Sequence, residues 1–491
     1  VGFLERILAE DRQGRGGAEH PCLVGLAVPR DRHYPVLMLA VMTAGAGVLP
    51  VDEQAGEEWR KELEKYCCFI VSGENKEAVL SSEGRSPEEA ELLVKRIRGA
   101  DIAYGIPTSG TTGKPKIALN TQEGLACRLE WMTALSGEGG RYLQKAAKTF
   151  DVSVWEMLLP LTDGGTLYVV PEEKKADVEY LTEKMRSERI TKVHFVPSVL
   201  QSFLRYSMRQ KTELPDLEYL FSSGEELTAG TAEKTAELFP EAEIWNLYGP
   251  AECAIDVSAF PYSFSEKAAE SVPIGRAVPG TGLYVMDAGN REVLPGCTGE
   301  ICIEGKQTGA GYLRGSATEK EQARFFSLNG EPAYRTGDRG RYGADGQLYY
   351  LGRMNAETKL RGMRIDLSGI EKLASSVPGV LGAAACRAGE CLAVFYTSES
   401  GVTEEQIRKT LAERMPAGCI PERVLRLEEF PVGKNGKTDR RELGRIIEKM
   451  DEENSERAEE KTETAGEKQT DIRQFMEILA PYLKGRIPSA D

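Results

Sequence analysis

From Leu23 to about Gly305 the chain alternates short apolar runs with stretches of helical periodicity, and this alternation limits the fold more than any other feature. Leu167–Val170, Val193–Val196, Tyr219–Ser222 and Ile244–Leu247 have strand length, whereas Asp177–Arg189 and Leu227–Leu238 between them carry apolar residues at helical spacing. Strands that return through helices pair in parallel, because the crossover carries the chain back to the same end of the sheet. The expected class is α/β, with layered and mostly parallel sheets in a large N-terminal domain.

From Cys297 onward the texture is β-rich and punctuated by glycine, at Gly299–Gly305 and then Gly337, Gly340, Gly343, Gly346 and Gly352. The large domain is therefore expected to end in β-structure, covering residues 1–354. A hinge near Gly352–Asn355 leads into a small mobile α+β unit at 355–450, with helices expected at Gly369–Ser376 and Glu404–Arg414. From Asp451 to Glu467 eight acids meet two bases, a local charge of −6 that predicts a solvated linker at 451–468. In 469–491, Ile472, Phe475, Met476 and Leu479 have the spacing of an amphipathic helix that Pro481 ends.

The 491 residues suffice for two to four domains, each with its own core. With 62 basic and 77 acidic side chains the net charge is −15, which argues against a protein built to neutralise nucleic acid or an anionic membrane. His20, His33 and His194 are the only histidines and lie far apart, so neither a His-rich metal centre nor a Ser/His/Asp hydrolase is expected. Ten cysteines without a CxxC pair read as reduced thiols of a cytoplasmic protein. Tyr34–Val51 carries no charge, yet Pro35, Gly45, Gly47 and Pro50 break it into a buried helix (Val36–Thr43) and a strand (Gly47–Val51) rather than a membrane span. Phe3–Ala9 reads as one helix. The start at Val1 lacks a signal-peptide pattern and reads as a fragment of a larger protein.

The stretch Tyr104-Gly-Ile-Pro-Thr-Ser-Gly-Thr-Thr-Gly-Lys-Pro-Lys116 carries the most chemistry. Gly110 and Gly113 let the backbone curl round an anion, Thr108, Ser109, Thr111 and Thr112 offer hydroxyls, and Lys114 and Lys116 offer charge. That combination suits a polyphosphate. It is not a Walker loop, since Gly113-Lys114 is followed by proline rather than serine or threonine.

Thr108–Lys116 resembles the signature of the acyl-adenylate-forming superfamily, with Ile117 where a glycine usually follows. The resemblance extends along nearly the whole chain. Asn246-Leu-Tyr-Gly-Pro-Ala-Glu252 is similar to the family's adenine and magnesium segment, Tyr334-Arg-Thr-Gly-Asp338 to its ribose aspartate segment, Gly352-Arg353 to its arginine near the hinge, and Asn435–Arg440 to its catalytic lysine loop. It implies that Tyr248 faces the purine, Glu252 holds Mg²⁺ and takes part in catalysis, Asp338 accepts from the ribose hydroxyls, and Lys437 bridges the carboxylate and α-phosphate. Asn246, Gly224, Gly249, Tyr350 and Arg353 complete the implied ATP site with the 108–114 loop. Each residue type suits its role: an aromatic face for a base, a hard oxygen for Mg²⁺, a cation for charge that develops in transfer. The usual hinge aspartate is Asn355 here.

Phe150-Asp-Val-Ser-Val-Trp-Glu156 resembles the corresponding motif of nonribosomal peptide synthetase adenylation domains, where the aspartate pairs with the substrate's α-ammonium. Asp151 would be an unpaired buried charge in a fatty-acid or aryl-acid ligase, so it argues for an amino acid. The family's pocket positions fall on Asp151, Val152, Trp155, His194, Phe221, Ser223, Leu247, Ile255, Asp256 and Lys437, a set similar to that of serine-activating members. His194, Ser223 and Asp256 among Trp155, Phe221 and Leu247 suit a short side chain with one hydroxyl. The expected reaction converts L-serine and ATP to seryl-AMP and pyrophosphate, then transfers the seryl group to the phosphopantetheine of a carrier domain, in cis or in trans. Neighbouring synthetase domains are the expected partners, and the helix at 469–491 could lead into the carrier. The alternatives are a coenzyme A or carrier-protein ligase for another small acid, and a noncatalytic scaffold.

Overall fold

A computed structural model describes residues 4, 21–76, 98, 101–109, 115–225, 227, 229–263, 272–354, 357–360, 363–378, 380–389, 391–398, 401–427, 430–431, 440 and 442–450. The expected acidic linker and terminal helix, the loop residues Gly110–Lys114, the expected hinge residue Asn355 and Lys437 lie outside the described residues. So does the expected helix Phe3–Ala9 apart from Leu4, which is helical and buried.

Three sheets make up the larger part. The first joins β1 (Leu23–Ala27), β2 (Gly47–Pro50), β3 (Phe69–Ser72), β4 (Ile102–Ser109) and β5 (Pro115–Thr121). β3, β1, β2 and β4 run parallel, and β5 turns back antiparallel on β4. β1 and β2 are buried almost throughout, as parallel strands covered on both faces must be. The apolar stretch at 34–51 is α1 (Tyr34–Thr43) followed by β2, and no helix among the described residues is long and apolar enough to cross a membrane. The helix α2 (Glu57–Glu64) follows β2.

The helices α3 (Gln122–Ser136) and α4 (Val152–Thr162) pass between this sheet and the second one. The second sheet contains β6 (Arg141–Gln144), β7 (Thr166–Val169), β8 (Lys192–Phe195), β9 (Tyr219–Ser222) and β10 (Glu243–Tyr248), all parallel, with β11 (Ser258–Tyr262) and β12 (Arg276–Ala277) antiparallel at one edge. One core cluster links β1, β2 and β4 with Phe221 and Leu247 of the second sheet through α1, α3 and α4. α4 is consequently buried from Val152 through Pro160, the all-round burial of a helix held between two sheets. The opposite face of the second sheet packs on α5 (Val178–Ser187), α6 (Pro197–Gln210) and α7 (Ala229–Leu238). Side-chain caps mark several starts: Thr121 accepts from Gly124 N and Asp177 from Tyr180 N, each satisfying an otherwise orphaned first-turn donor.

The third sheet is antiparallel: β13 (Thr281–Met286), β14 (Gly299–Gly305), β16 (Phe325–Leu328), β17 (Glu331–Tyr342) and β18 (Leu348–Arg353), while β15 (Gly311–Tyr312) joins the first sheet beside β5. Beyond it come the hairpin β19 (Glu357–Leu360) and β20 (Met363–Asp366) and a sheet of β21 (Val380–Ala388), β22 (Cys391–Ser398) and β23 (Arg423–Arg426). α8 (Leu367–Ser375) and α9 (Glu404–Arg414) share a core with this small sheet, and residues 442–450 pack in a second cluster with other residues of it. Arg414 of α9 pairs with Glu58 of α2 at 2.8 Å.

One expectation is corrected. Cys22 and Cys68 form a disulfide, so the cysteines are not uniformly reduced. The parallel register of Val24 opposite Phe69 sets the residues just before β1 and β3 side by side, a proximity that a sequence separation of 46 hides. The remaining cysteines are free thiols.

Candidate active site

The strands β10, β17 and β18 bring the expected nucleotide residues together. Tyr248, at the end of β10, donates its hydroxyl to Asp338 Oδ2 at 2.6 Å. Tyr350 lies beside it with ring centroids 6.2 Å apart, and Arg353 stands opposite Asp338 in the β17–β18 register. Asn246, two residues before Tyr248, donates its amide to Pro273 O at 2.8 Å and so fastens the strand to the neighbouring segment.

Glu252 is fully buried and accepts from the Tyr312 hydroxyl, which in turn meets the Tyr334 hydroxyl at 3.1 Å. A buried carboxylate whose phenol donor brings no positive charge is a suitable hard oxygen ligand for Mg²⁺. The segment after it is strained: Ala254 and Ile255 have φ of 43° and 81°, which for a β-branched residue is rare. Gly249 makes this path feasible, since a Cβ there would lie 1.9 Å from Ile255 O. Asn120 and Gln307 hold the segment, Asn120 through Ala251 O and Ala254 N, Gln307 through Ala254 O and Asp256 O.

The expected phosphate loop links the antiparallel strands β4 and β5, where Ser109 stands opposite Pro115. Thr108 donates to Lys116 O at 3.3 Å across that hairpin. Lys116, read from sequence as charge for the cradle, is only 2% exposed and lies 3.6 Å from Glu321 Oε1 and over the Tyr312 ring. Gly224 has a φ of 92°, open to glycine without strain, immediately after Ser223.

The residues expected to bind the amino acid gather where α4 meets β8 and β9. Asp151 caps α4, accepting from Val152 N at 2.9 Å, and Val152 is buried in the first turn. One turn on, Trp155 meets His194 and Phe221 edge to face, at 6.0 and 5.7 Å. His194 and Phe221 are register partners in β8 and β9, which sets the Ser223 hydroxyl 3.0 Å from His194 Nε2. Leu247 and Ile255 are buried in the same core cluster as Trp155 and Phe221. Burial, reinforced by the positive charges of Lys145 and Arg128, pushes the His194 pKa well below its ordinary value, so the imidazole is neutral at physiological pH.

Asp256 is placed differently from the simple hydroxyl acceptor suggested by sequence. Its Oδ2 accepts from Arg128 Nη2 at 2.7 Å, with both side chains buried. The Arg128 guanidinium also lies over the rings of Trp131 and Trp155. Arg128 went unread in the sequence, as did Glu156, Asn120 and Gln307. For Arg128 a signal existed: it shares the buried face of α3 with Leu125, Leu129 and Met132, where a lone charge requires a partner.

The family model described as AMP-binding enzyme matches residues 13–313. Vanchrobactin synthetase VabF of Vibrio anguillarum is 32% identical over 463 residues, which cover 86% of this chain and 16% of that protein. Zwittermicin A synthase ZmaJ of Bacillus cereus is 30% identical over 468 residues, covering 90% of this chain and 87% of that protein. The chain thus spans under a fifth of the first relative and most of the second. Among solved structures, the Vibrio cholerae adenylation domain AlmE, in complex with glycyl-adenosine-5'-phosphate, is 23% identical with a TM-score of 0.75 and 91% of each chain covered, a likeness of fold. Matched by that family model over most of its length, and by a relative of 30% identity that it largely covers, the chain belongs to the AMP-binding enzymes and is an adenylate-forming ligase of the nonribosomal peptide synthetase type.

Proposed function

We propose that the enzyme activates L-serine as seryl-AMP, releasing pyrophosphate, and then delivers the seryl group to the phosphopantetheine thiol of a carrier domain. The observation that carries this reading is the buried polar group beside Trp155: His194 on Ser223, and Asp256 on Arg128, within walls of Phe221 and Leu247. A short hydroxylated side chain satisfies such a site, whereas alanine would leave its acceptors unpaired. Asp151 at the head of α4 is the proposed partner of the α-ammonium, since a buried carboxylate is best met by a cation.

On the nucleotide side, Tyr248 and Tyr350 offer aromatic faces to the purine and Asp338 accepts from the ribose. The loop 108–114 holds the phosphates, and Glu252 would hold Mg²⁺, which when bound neutralises phosphate charge. The substrate carboxylate attacks the α-phosphorus, the bond to pyrophosphate breaks, and Lys437, carried on the small unit at 355–450, stabilises the charge that develops. In the second step the carrier's thiolate attacks the acyl carbon and AMP leaves. A carrier domain as partner is supported by a structural relative, an artificially fused adenylation–PCP di-domain from Klebsiella oxytoca.

ATP–pyrophosphate exchange across a panel of acids tests the reading. Serine is expected to give the strongest exchange. Exchange with alanine, threonine or an aryl acid but none with serine would overturn the pocket assignment, and silence with every acid would favour a noncatalytic scaffold.

A further inference from the structure

Glu156, one residue after Trp155, is 2% exposed and divides its two oxygens between different tasks. Oε2 accepts three hydrogen bonds, from Lys145 N at 3.1 Å, Ala146 N at 2.9 Å and Gln144 Nε2 at 3.2 Å. Oε1 has no hydrogen-bond donor among the described residues and stands 3.8 Å from His194 Nδ1, which likewise has no hydrogen-bond partner there. The opposite ring nitrogen, Nε2, is the one that meets Ser223. The imidazole is neutral, so a single proton sits on one nitrogen or the other. Were it on Nε2, the Nδ1 lone pair would point at a carboxylate oxygen in a site from which water is excluded. With the proton on Nδ1 the same pair is attractive.

We propose that Glu156 is a positioning residue for substrate choice: its carboxylate holds the His194 proton on Nδ1, Nε2 accepts the Ser223 hydroxyl proton, and Ser223 Oγ meets the bound side chain as an acceptor. The chain Glu156–His194–Ser223 thereby selects side chains that donate a hydrogen bond, and not merely those of the right size. The substrate half of this inference rests on the reading of the pocket given above, whereas the tautomer itself does not.

Three histidines in the whole chain make the tautomer directly measurable. In a ¹⁵N-labelled wild-type enzyme, two-dimensional ¹⁵N–¹H spectra, assigned with His20→Gln and His33→Gln, should show a His194 locked with its proton on Nδ1. A proton on Nε2, or averaging between the two, would overturn the proposal without any substitution at Glu156. In Glu156→Gln the three N–H donors retain the amide oxygen, so the amide nitrogen must face Nδ1 and drive the His194 proton to Nε2. Ser223 then becomes a donor toward the pocket. The preference in kcat/KM for serine over 3-fluoroalanine, a near-isostere that cannot donate, should fall about tenfold, the worth of one reoriented hydrogen bond. A reversed tautomer with that preference unchanged would overturn the role in substrate choice. A wild-type enzyme that prefers a side chain with no hydroxyl would instead remove the pocket reading, leaving the spectrum to decide the tautomer.

Discussion

The two halves of the proposed site bury carboxylates in different ways. On the amino-acid side, Asp256 is met by the Arg128 guanidinium, and Glu156 by backbone and amide N–H groups close to Lys145. On the nucleotide side, Asp338 and Glu252 are each met by a tyrosine hydroxyl, Tyr248 and Tyr312. A cation that cancels a buried charge fixes the carboxylate before any ligand arrives, and the desolvation of both ions is offset during folding. A phenol leaves the negative charge in place for a ribose hydroxyl or a metal ion. On the proposed reading, the first arrangement fixes the carboxylates of the amino-acid pocket and the second keeps negative charge available to a ligand.

Removing the cation should therefore cost far more than removing a phenol. Arg128→Met leaves Asp256 buried without its counter-ion and should destabilise the fold by about 3–5 kcal/mol in urea unfolding, while Asp256→Leu in the same chain should restore part of that loss. If Arg128→Met were neutral, the pair would not be fixing the pocket. Next in size, Lys437→Ala should lower adenylation by about two to three orders of magnitude at unchanged stability, the typical loss of one transition-state donor. Wild-type exchange rates in that variant would exclude Lys437 from the first step. Asp338→Asn should raise the KM for ATP by about tenfold, with little change in the KM for the amino acid, since an ionised acceptor becomes neutral. Tyr312→Phe should cost only about 1 kcal/mol of stability, and a loss comparable to that of Arg128→Met would erase the distinction between the two sides.

The smallest effect concerns pH. Burial pulls the Lys145 pKa down from 10.5 to about 8, despite the opposing pull of Glu156. Between these values the unfolded chain binds more protons than the folded one, so the Lys145 contribution to stability rises with pH over that window. Lys145→Met should flatten that rise in thermal unfolding measured from pH 7.5 to 10.

The local elements were legible in the sequence because their signals are local. Gly299–Gly305, Tyr219–Ser222 and Glu404–Arg414 begin and end where expected, and the strands at 166–169, 192–195 and 243–248 depart from expectation by one residue at each end. The positions expected to line the pocket were named through a resemblance, and β8, β9, β10 and α4 bring Trp155, His194, Phe221, Ser223 and Leu247 together. The layer behind them was not. Arg128 lies 128 residues from Asp256 in sequence, and Asn120 lies 134 from Ala254, so no spacing rule connects them. The Cys22–Cys68 bond was missed for the same reason, since only the register of two parallel strands reveals it.

Selection of serine by the buried polar pocket is the central proposal. It is tested most directly by incubating the enzyme with ATP, Mg²⁺ and an equimolar mixture of the twenty amino acids, and identifying the enzyme-bound adenylate by mass spectrometry in a single turnover. Seryl-AMP should exceed alanyl-AMP by at least about a hundredfold, the discrimination expected when a pocket's hydrogen-bonding groups would otherwise go unpaired. An adenylate of another amino acid as the main product, or comparable amounts of seryl- and alanyl-AMP, would contradict it.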